Sequence, residues 1–370
     1  MFSEDKARRK RTSLAAVFHG PDQALELRQI ALPERLFRGE ALVRITCCTL
    51  CGSDLSTLAG HRQEPTPCIL GHEIVGVIAE LGEKAATGDD RLTNSIIDLR
   101  GRVVQVGDRV VWSIAANCGN CRPCRRGIPQ KCVELMKYGH RRMDAHWQLN
   151  GGMAEYCHLV RGTKIVVVAS DIADTALAPA SCATATVVAA CRAAGNIQGA
   201  RVLIIGAGLL GLTACAMVRT LGAESISVCD VSSQRLHWAN RFGADHTLAK
   251  IELAASNDQK YDTIFELSGS SSATSAALSV ADVGAAIVLV GSVRPAPPIE
   301  VFPEQLIRSV QSMHGVHNYV AEDLLAAVEF LEKYGHRFPF NKVVTRSATL
   351  TQIHTLLTST APAIRMAVTM

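Results

Sequence analysis

The sequence predicts an α/β protein of two domains, in which a β-barrel-like domain precedes a doubly wound parallel sheet. Three observations support this fold class. The chain has 370 residues, enough for two domains that each bury a core. Up to about residue 170 it consists of short, glycine-punctuated, β-branched runs that are typical of a barrel. After Cys182, strand-like and helix-like runs alternate, which is the pattern of βαβ units.

The first domain is predicted from strand-like runs separated by turns. Strands are expected between Leu14 and Val43, and the run from Ala41 to Cys47 leads toward a glycine-flanked cysteine turn. Further strand-rich stretches extend from Ile69 to Ile78 and from Val103 to Trp112. The stretch 82–102 between them is polar and irregular, so it is predicted to be a surface insertion.

The second domain is organised around a glycine motif. An apolar run beginning at Arg201 leads into G-x-G-x-x-G and a helical pattern, and the next strand ends in Asp230. Such a motif permits a tight turn and brings a pyrophosphate to a helix N-terminus, while the acid binds the ribose hydroxyls. A glycine-punctuated turn without a ligand is the alternative. The predicted dinucleotide-binding residues are Gly206, Gly208, Leu209, Leu210, Gly211 and Asp230.

The identity of the dinucleotide depends on two side chains. A carboxylate at Asp230 would repel a 2′-phosphate, so NAD is predicted rather than NADP. Arg235, five residues on, could instead stabilise that phosphate.

The βαβ pattern continues after this motif. A helix is predicted over Gln234–Gly243, and strands over Tyr261–Leu267 and Ala285–Val290. The stretch from Val343 to Met370 again contains short strand-like runs, so it is expected to rejoin the first domain. The predicted divisions are 1–180, 181–317 and 318–370.

Composition and charge exclude several classes of protein. The net charge is +4, but five basic and two acidic residues within the first twelve carry most of it. The remaining chain is nearly neutral, which argues against a nucleic-acid-binding surface. The tail is expected to be a disordered arm, and it lacks the apolar stretch of a signal peptide. Val202–Val218 is almost wholly apolar, but its glycines favour a buried strand–turn–helix over a membrane span.

The thirteen cysteines do not form a disulfide pattern. Most lie in apolar strand or helix patterns, in a long chain without an export signal. Reduced thiols and a cytoplasmic location are therefore predicted.

Four of these cysteines have the spacing of a structural metal site. The pattern C-x2-C-x2-C-x7-C lies in a loop with glycine and proline, which fits a closed tetrahedral zinc site. Four buried free thiols are the less plausible alternative, because the loop is polar and arginine-rich. The predicted ligands are Cys118, Cys121, Cys124 and Cys132.

A second set of metal-binding residue types is dispersed along the chain. Cys51 and His72 each lie in a glycine-flanked turn at a strand end, and Cys182 precedes the cofactor domain. A set of this composition with one open position suits a catalytic zinc ion. Taken singly, each residue is more often part of a core, and their separation in sequence does not prove that they meet.

Over essentially its whole length the chain resembles the zinc-binding medium-chain alcohol dehydrogenases. The resemblance implies a GroES-like catalytic domain and a Rossmann domain, with the active site in the cleft between them. A zinc-free quinone reductase of the same fold is disfavoured, because such relatives lack the zinc residues. The matching segments, in order, are Cys51-Gly-Ser-Asp, Gly71-His-Glu, Gly107-Asp-Arg-Val, the four-cysteine lobe, Gly151-Gly-Met-Ala-Glu-Tyr, Cys182 and G-x-G-x-x-G.

The resemblance also implies roles for individual residues. Ser53 matches the hydroxyl that passes the substrate proton outward, Asp54 the carboxylate that orients the zinc-binding histidine, and Arg365 an arginine that contacts the cofactor phosphates. Relatives commonly have histidine three residues after the relay hydroxyl. This chain has Ser56 there, and His61 could substitute. The implied catalytic zinc ligands are Cys51, His72 and Cys182, with Glu73 as an occasional ligand.

The implied activity is hydride transfer between an alcohol or carbonyl substrate and NAD(H), with two zinc ions per chain, in a homodimer or homotetramer. Polyol- and threonine-type zinc dehydrogenases are alternatives within the class. A zinc-lobed binding protein without turnover is the alternative from another class.

The substrate is the least defined part of this prediction. Trp112 and Ile114 precede the four-cysteine lobe, in a region that lines the pocket in relatives. The lobe and the stretch after it also resemble a subgroup associated with phosphonate catabolism, which implies a hydroxyalkyl- or oxo-phosphonate substrate. Arg141 and Arg142 are the predicted anion-binding residues, since the guanidinium fork suits phosphonate oxygens. A solvated, charged loop is the alternative for that stretch.

Overall fold

The computed structural model describes residues 11–82, 95–252, 259–359 and 363–370. Residues 1–10 of the predicted basic tail and residues 83–94 of the predicted surface insertion lie outside these ranges. The described residues confirm the predicted fold class, with a β-rich first domain and a doubly wound parallel sheet.

The first domain is built from two sheets and a small ribbon. Within the strand-rich stretch from Val103 to Trp112, the amide of Gln105 donates to Asp108 in a turn, and a strand begins at Arg109. The strands are β1 (Thr12–Phe18), β2 (Glu26–Ala31), β3 (Ala41–Leu50), β4 (Cys68–Ile69), β5 (Glu73–Leu81), β6 (Arg109–Trp112), β7 (Ala115–Ala116), β8 (Met136–Lys137), β9 (Tyr156–Leu159), β10 (Ile165–Val167), and, from the C-terminal part, β17 (Val344–Thr349) and β18 (Arg365–Thr369).

These strands pair in an order that brings distant segments together. The main sheet has the order β10-β6-β5-β3-β18-β17, with β9 also paired to β3, and a second sheet has the order β2-β1-β4. The ribbon pairs β7 with β8. The helices that accompany this domain are α1 (Gly52–Leu58), α2 (Arg122–Arg125) and α3 (Asp174–Leu177), with α10 (Ile353–Thr358) between β17 and β18.

The second domain has a six-stranded sheet in which every strand pair is parallel. Its strands are β11 (Arg201–Ile205), β12 (Ser225–Cys229), β13 (His246–Leu248), β14 (Tyr261–Glu266), β15 (Ala281–Leu289) and β16 (Ser312–Gly315). Their spatial order is β13-β12-β11-β14-β15-β16, so the strand order reverses between β11 and β14, where doubly wound sheets bind ligands. Its helices are α4 (Ala183–Ala194), α5 (Leu209–Thr220), α6 (Ser233–Arg241), α7 (Ser271–Val280), α8 (Pro303–Arg308) and α9 (Ala321–Tyr334).

The two domains share one apolar core. Side chains of α4, α5 and α9 pack in the same buried cluster as Val75 and Val111 of the first domain. Tyr319 joins the domains through its hydroxyl, which accepts from the Ile114 amide at 2.9 Å and donates to the Ser181 carbonyl. The chain turn that carries Cys182 is therefore held from both sides.

Within the described residues no single helix is long and apolar enough to cross a membrane. One bent pair, Asp174–Ser181 followed by Ala183–Ala194, reaches that length and composition together. Most of its residues are buried in the shared core, which accounts for its apolar character.

Candidate catalytic zinc and cofactor sites

Four potential metal ligands from separate elements converge in one place. Cys51 ends the connection from β3 to α1, His72 and Glu73 lie at the start of β5, and Cys182 immediately precedes α4. One ligand atom from each lies within 4.8 Å of all the others. The convergence that the sequence left open is therefore a property of the fold, and the donor set of two thiols, an imidazole and a carboxylate fits zinc.

Asp54 fixes the orientation of His72. Its Oδ1 lies 3.2 Å from His72 Nδ1, and the amides of Cys51 and Gly71 donate to the same carboxylate at 2.8 and 3.2 Å. Burial alone would raise the pKa of this carboxyl, but His72 outweighs it and the pKa is lowered. An imidazole engaged at Nδ1 presents Nε2 to a metal, as in other carboxylate–histidine–zinc arrangements.

Glu73 is held by two partners and is fully buried. Arg365 Nη2 donates to Oε1 at 3.0 Å, and the Thr49 hydroxyl donates to Oε2 at 2.6 Å. Burial raises the pKa of the Glu73 carboxyl to about 7, although Arg365 acts in the opposite direction. An ion pair with Arg365 thus competes with metal coordination by this carboxylate.

Ser53 lies at the second residue of α1, two residues after Cys51. Its carbonyl accepts from Thr57, and among the described residues its hydroxyl has no hydrogen-bond partner. The hydroxyl is therefore available to a substrate. Ser56 is partly buried, and the exposed His61 is connected to it through an amide-to-carbonyl hydrogen bond of 2.9 Å.

The four cysteines of the lobe form a second, compact cluster. Sγ–Sγ distances are 3.4 Å for Cys121–Cys124, 3.8 Å for Cys121–Cys132 and 3.4 Å for Cys118–Cys132. The backbone amides of Cys124 and Val133 lower the pKa of Cys121 to about 6, which favours the thiolate that zinc requires. The cluster has no open position, so it fits a structural ion.

The glycine motif forms a cradle at the start of α5. A Cβ at Gly211 would lie 1.8 Å from the Gly206 carbonyl oxygen, so only glycine allows this approach of helix to strand. A Cβ at Gly208 would meet nothing within 4 Å, which leaves space for a phosphate beside the helix N-terminus. Leu209 and Leu210 begin the helix.

Asp230 is anchored at the end of β12. Its Oδ2 accepts from the Ala207 amide at 2.7 Å, and its Oδ1 accepts from the Ser232 amide at 2.8 Å. Arg235 Nη1 lies 3.7 Å from the same carboxylate. The acid thus supports the glycine-rich turn, and each oxygen retains a lone pair for a ribose hydroxyl.

Arg365 lies between the catalytic cluster and the cofactor helix. Its Nη1 donates to the Leu50 carbonyl at 3.0 Å, and the residue lines a narrow cleft together with Leu209 and Thr213. Within the part of the chain that the structure describes, the Arg365 Nε and the Thr213 hydroxyl are buried without a hydrogen-bond partner. Two unsatisfied polar groups beside the glycine cradle fit a polar cofactor at this place.

The four predicted substrate residues occupy different environments. Trp112 is buried in the first domain's core against Tyr138, and Ile114 is buried in the shared core. Arg141 extends toward the Leu135 carbonyl, with Nη1 at 3.5 Å, while Arg142 is exposed. Their roles in substrate binding stay predictions.

A chain of polar side chains lies behind His72. The His140 ring lies 4.6 Å from the His72 ring, and its Nδ1 lies 2.8 Å from Glu64 Oε1. Arg62 Nη2 approaches the same oxygen at 2.7 Å. Arg62 and Glu64 lie in an irregular stretch with no periodic or motif signal, so the sequence alone offered no indication of this chain of contacts.

Comparisons with known proteins agree with this geometry. Residues 38–170 match the model of the alcohol dehydrogenase GroES-like domain, and residues 210–333 match that of zinc-binding dehydrogenases. Sorbitol dehydrogenase of Bombyx mori is 26% identical over 354 residues, which cover 89% of this chain and 92% of that protein. An alcohol dehydrogenase of Geobacillus stearothermophilus is 29% identical over 333 residues, covering 85% and 89%.

Solved structures show the same fold. The alcohol dehydrogenase of Thermotoga maritima superposes with a TM-score of 0.87 and 25% identity, covering 97% of this chain and 99% of that one. A putative zinc-binding dehydrogenase of Sinorhizobium meliloti bound to NADP gives 0.82 and 20%, covering 97% and 100%. A dehydrogenase of Escherichia coli complexed with NADH gives 0.80 and 23%, covering 97% and 99%.

The chain therefore belongs to the zinc-binding alcohol dehydrogenase family of medium-chain dehydrogenases. Within that family it is an oxidoreductase with a GroES-like and a Rossmann-type domain.

Proposed function

We propose that this protein is a zinc-dependent alcohol dehydrogenase that transfers a hydride between an alcohol or carbonyl substrate and NAD(H). We also propose that each chain holds one catalytic and one structural zinc ion. The observation that carries the proposal is the cluster of Cys51, His72 and Cys182 with Glu73, separate from the four-cysteine lobe. A closed and an open ligand set in one chain is the arrangement expected of a structural and a catalytic site.

The mechanism assigns each residue a task. When bound, zinc would polarise the substrate oxygen and the nicotinamide would exchange the hydride. Asp54 holds His72 in the tautomer that leaves Nε2 free. The Ser53 hydroxyl accepts the proton that the substrate hydroxyl loses and passes its own proton outward. Arg365 neutralises Glu73 and, beside the cofactor helix, supplies positive charge for phosphates.

The experiment that tests this proposal is a panel of alcohols and carbonyl compounds with NAD(H), followed by the absorbance of the reduced cofactor. Simple alcohols, polyols and L-threonine belong in the panel, because relatives named sorbitol dehydrogenase, D-altritol 5-dehydrogenase and L-threonine 3-dehydrogenase match the chain at 25–28% identity. Turnover of a polyol or of threonine alone would select that alternative. Absence of turnover with every compound in both directions would favour a zinc-lobed binding protein.

NAD is proposed over NADP because the Asp230 carboxylate would repel a 2′-phosphate. Replacing Asp230 with alanine is expected to narrow the preference for NAD by ~10-fold or more, since like-charge juxtaposition costs several kcal/mol. The measurement is the ratio of kcat/KM for NAD to that for NADP.

The matched control for this variant is Asp230→Asn. Asparagine keeps an oxygen that can accept from the Ala207 amide, so it separates loss of charge from loss of the turn. Equal activity of the wild type with both cofactors would contradict the proposal and would assign Arg235, 3.7 Å from Asp230, to the 2′-phosphate.

A hydroxyalkyl- or oxo-phosphonate is the proposed substrate, with Arg141 and Arg142 as the anion-binding residues that the sequence suggests. Arginine suits this task because its planar fork binds two oxyanion oxygens at once. Arg142 is exposed, and Arg141 Nη1 lies 3.5 Å from the Leu135 carbonyl oxygen. Neither guanidinium forms an ion pair with a carboxylate of the described residues.

A cytoplasmic homo-oligomer is also proposed. All thirteen cysteines are unpaired, which supports a reducing location. Phe302, Ile307 and Val310 are exposed near the edge strand β16, which supports an interface between copies on that side of the cofactor domain. Light scattering of the purified protein would give the number of chains, and a monomer would contradict the proposal.

A further inference from the structure

One face of the β7–β8 ribbon lies against the catalytic cluster. Tyr138 and Met136 pack into the first domain's core, so Lys137 between them projects from the opposite face. Two residues on, a Cβ at Gly139 would lie 2.5 Å from the Gly71 carbonyl oxygen and 3.1 Å from His72 Cβ. The ribbon therefore runs directly past the zinc-binding histidine.

The Lys137 ammonium is partly buried, and no described carboxylate forms an ion pair with it. Among the described residues it makes no hydrogen bond and no ion pair. Burial and Arg62 lower the pKa of Lys137, while Cys182, Glu64 and Cys51 raise it. The ribbon that carries Lys137 passes His72, so the ammonium lies on the same side of the domain as the zinc-ligand cluster. A desolvated cation without a partner is costly unless a ligand completes it.

Further cations surround this lysine. Arg62 is bound through one nitrogen to Glu64, which leaves its other donors available. Lys131 of the lobe lies 2.9 Å from Nδ1 of His317 of the cofactor domain. Burial lowers the pKa of His317 to about 4, and Lys131, Lys137 and Arg62 lower it in the same direction. Lys131, Lys137 and Arg62 therefore form a predominantly cationic set, in which Arg62 is paired with Glu64.

We propose that Lys137, assisted by Arg62, binds an anionic group of the substrate, so that the natural substrate is an alcohol or carbonyl compound that carries an oxyanion. This inference rests on the proposed dehydrogenase function and names the substrate class of the same site. An ammonium supplies a point charge, and a guanidinium with free donors supplies direction, so together they suit a phosphonate, phosphate or carboxylate.

The kinetic test compares an alcohol that carries a phosphonate or carboxylate with an uncharged analogue of the same length. Lys137→Met is expected to lower the ratio of kcat/KM for the anion to that for the analogue by roughly 10- to 100-fold, the range for a lost charge-assisted hydrogen bond. Lys137→Arg should retain most of the ratio. Lys342→Met, at an exposed lysine of the C-terminal part, is the matched control and should leave the ratio unchanged.

Two outcomes would overturn the inference. An unchanged ratio in Lys137→Met is one of them. The other is a fall in the ratio in Arg141→Ala or Arg142→Ala but not in Lys137→Met, which would return the anion site to the arginines. Comparing the phosphonate and carboxylate substrates in the wild type identifies which oxyanion the site prefers.

A binding measurement separates this inference from the dehydrogenase proposal. Calorimetric titration of the zinc-loaded enzyme with methylphosphonate and with acetate requires no turnover. At least one of them should bind the wild type, with an affinity reduced at least about 10-fold in Lys137→Met. Equal affinity in the two proteins would overturn the anion site even if alcohols are oxidised. Binding that depends on Lys137 in an enzyme that oxidises no alcohol would contradict only the dehydrogenase proposal.

Discussion

Purified protein is expected to contain two zinc ions per chain, and the two ligand sets should respond differently to substitution. Cys118→Ser should unfold or destabilise the protein, because structural zinc sites contribute ~10–16 kcal/mol of apparent binding free energy in small domains. His72→Asn should remove one zinc ion and lower turnover by at least ~10³-fold while the fold remains, since the metal supplies several kcal/mol to the transition state. Metal analysis, thermal unfolding and turnover are the measurements.

Asparagine is the informative replacement at His72 because Asp54 is fully buried beside it. Alanine would leave that carboxylate with only its two amide donors and confuse metal loss with unfolding, whereas an asparagine amide can still donate to it. One zinc ion in the wild-type protein would contradict the two-site proposal. So would an unchanged Tm in Cys118→Ser.

Replacing Ser53 with alanine is expected to lower kcat by ~10²–10⁴-fold, the usual contribution of positioned proton transfer. Ser53 lies two residues after the zinc ligand Cys51, and no described residue forms a hydrogen bond with its hydroxyl, so the hydroxyl is available to a substrate. Ser53→Thr retains the hydroxyl and should retain most of the activity. The measurement is steady-state kcat for the best alcohol of the panel.

The Ser53 variant also reports on the rest of the proton path. A stable Ser53→Ala protein that turns over at the wild-type rate would show that water takes the proton directly. If the hydroxyl is required, His61→Ala would then show whether that exposed imidazole continues the path past Ser56.

The groupings of residues that spacing alone predicts are local in the chain. The lobe ligands span fifteen residues and the glycine motif spans six, so spacing alone defines each site. The catalytic cluster was harder to predict, because Cys182 reaches it only through packing of the two domains. Lys137, Arg62 and His317 come from three segments without a shared motif, and only the fold brings them together.

Trp112 illustrates a limit set by strand geometry. In β6, Val110 and Trp112 contribute to the first domain's own core, whereas Val111 contributes to the core shared with the cofactor domain. Side chains in a strand alternate between faces, so neighbouring residues of β6 lie in different cores, one within the first domain and one shared with the cofactor domain. The position of Trp112 in the sequence, close to the residues that line the pocket in relatives, therefore could not show which face of β6 its side chain occupies.

The ion pair between Arg365 and Glu73 has a consequence for biosynthesis. The partners are 292 residues apart, and β18 supplies its arginine after every other strand of its sheet has been made. Before β18 is synthesised, no guanidinium is present to offset the burial of the Glu73 carboxylate. The cofactor domain precedes β18 in the chain and can already fold at that stage, because chains emerge N-terminus first. The cluster of Cys51, His72, Glu73 and Cys182 therefore depends on an arginine that is synthesised 292 residues after Glu73.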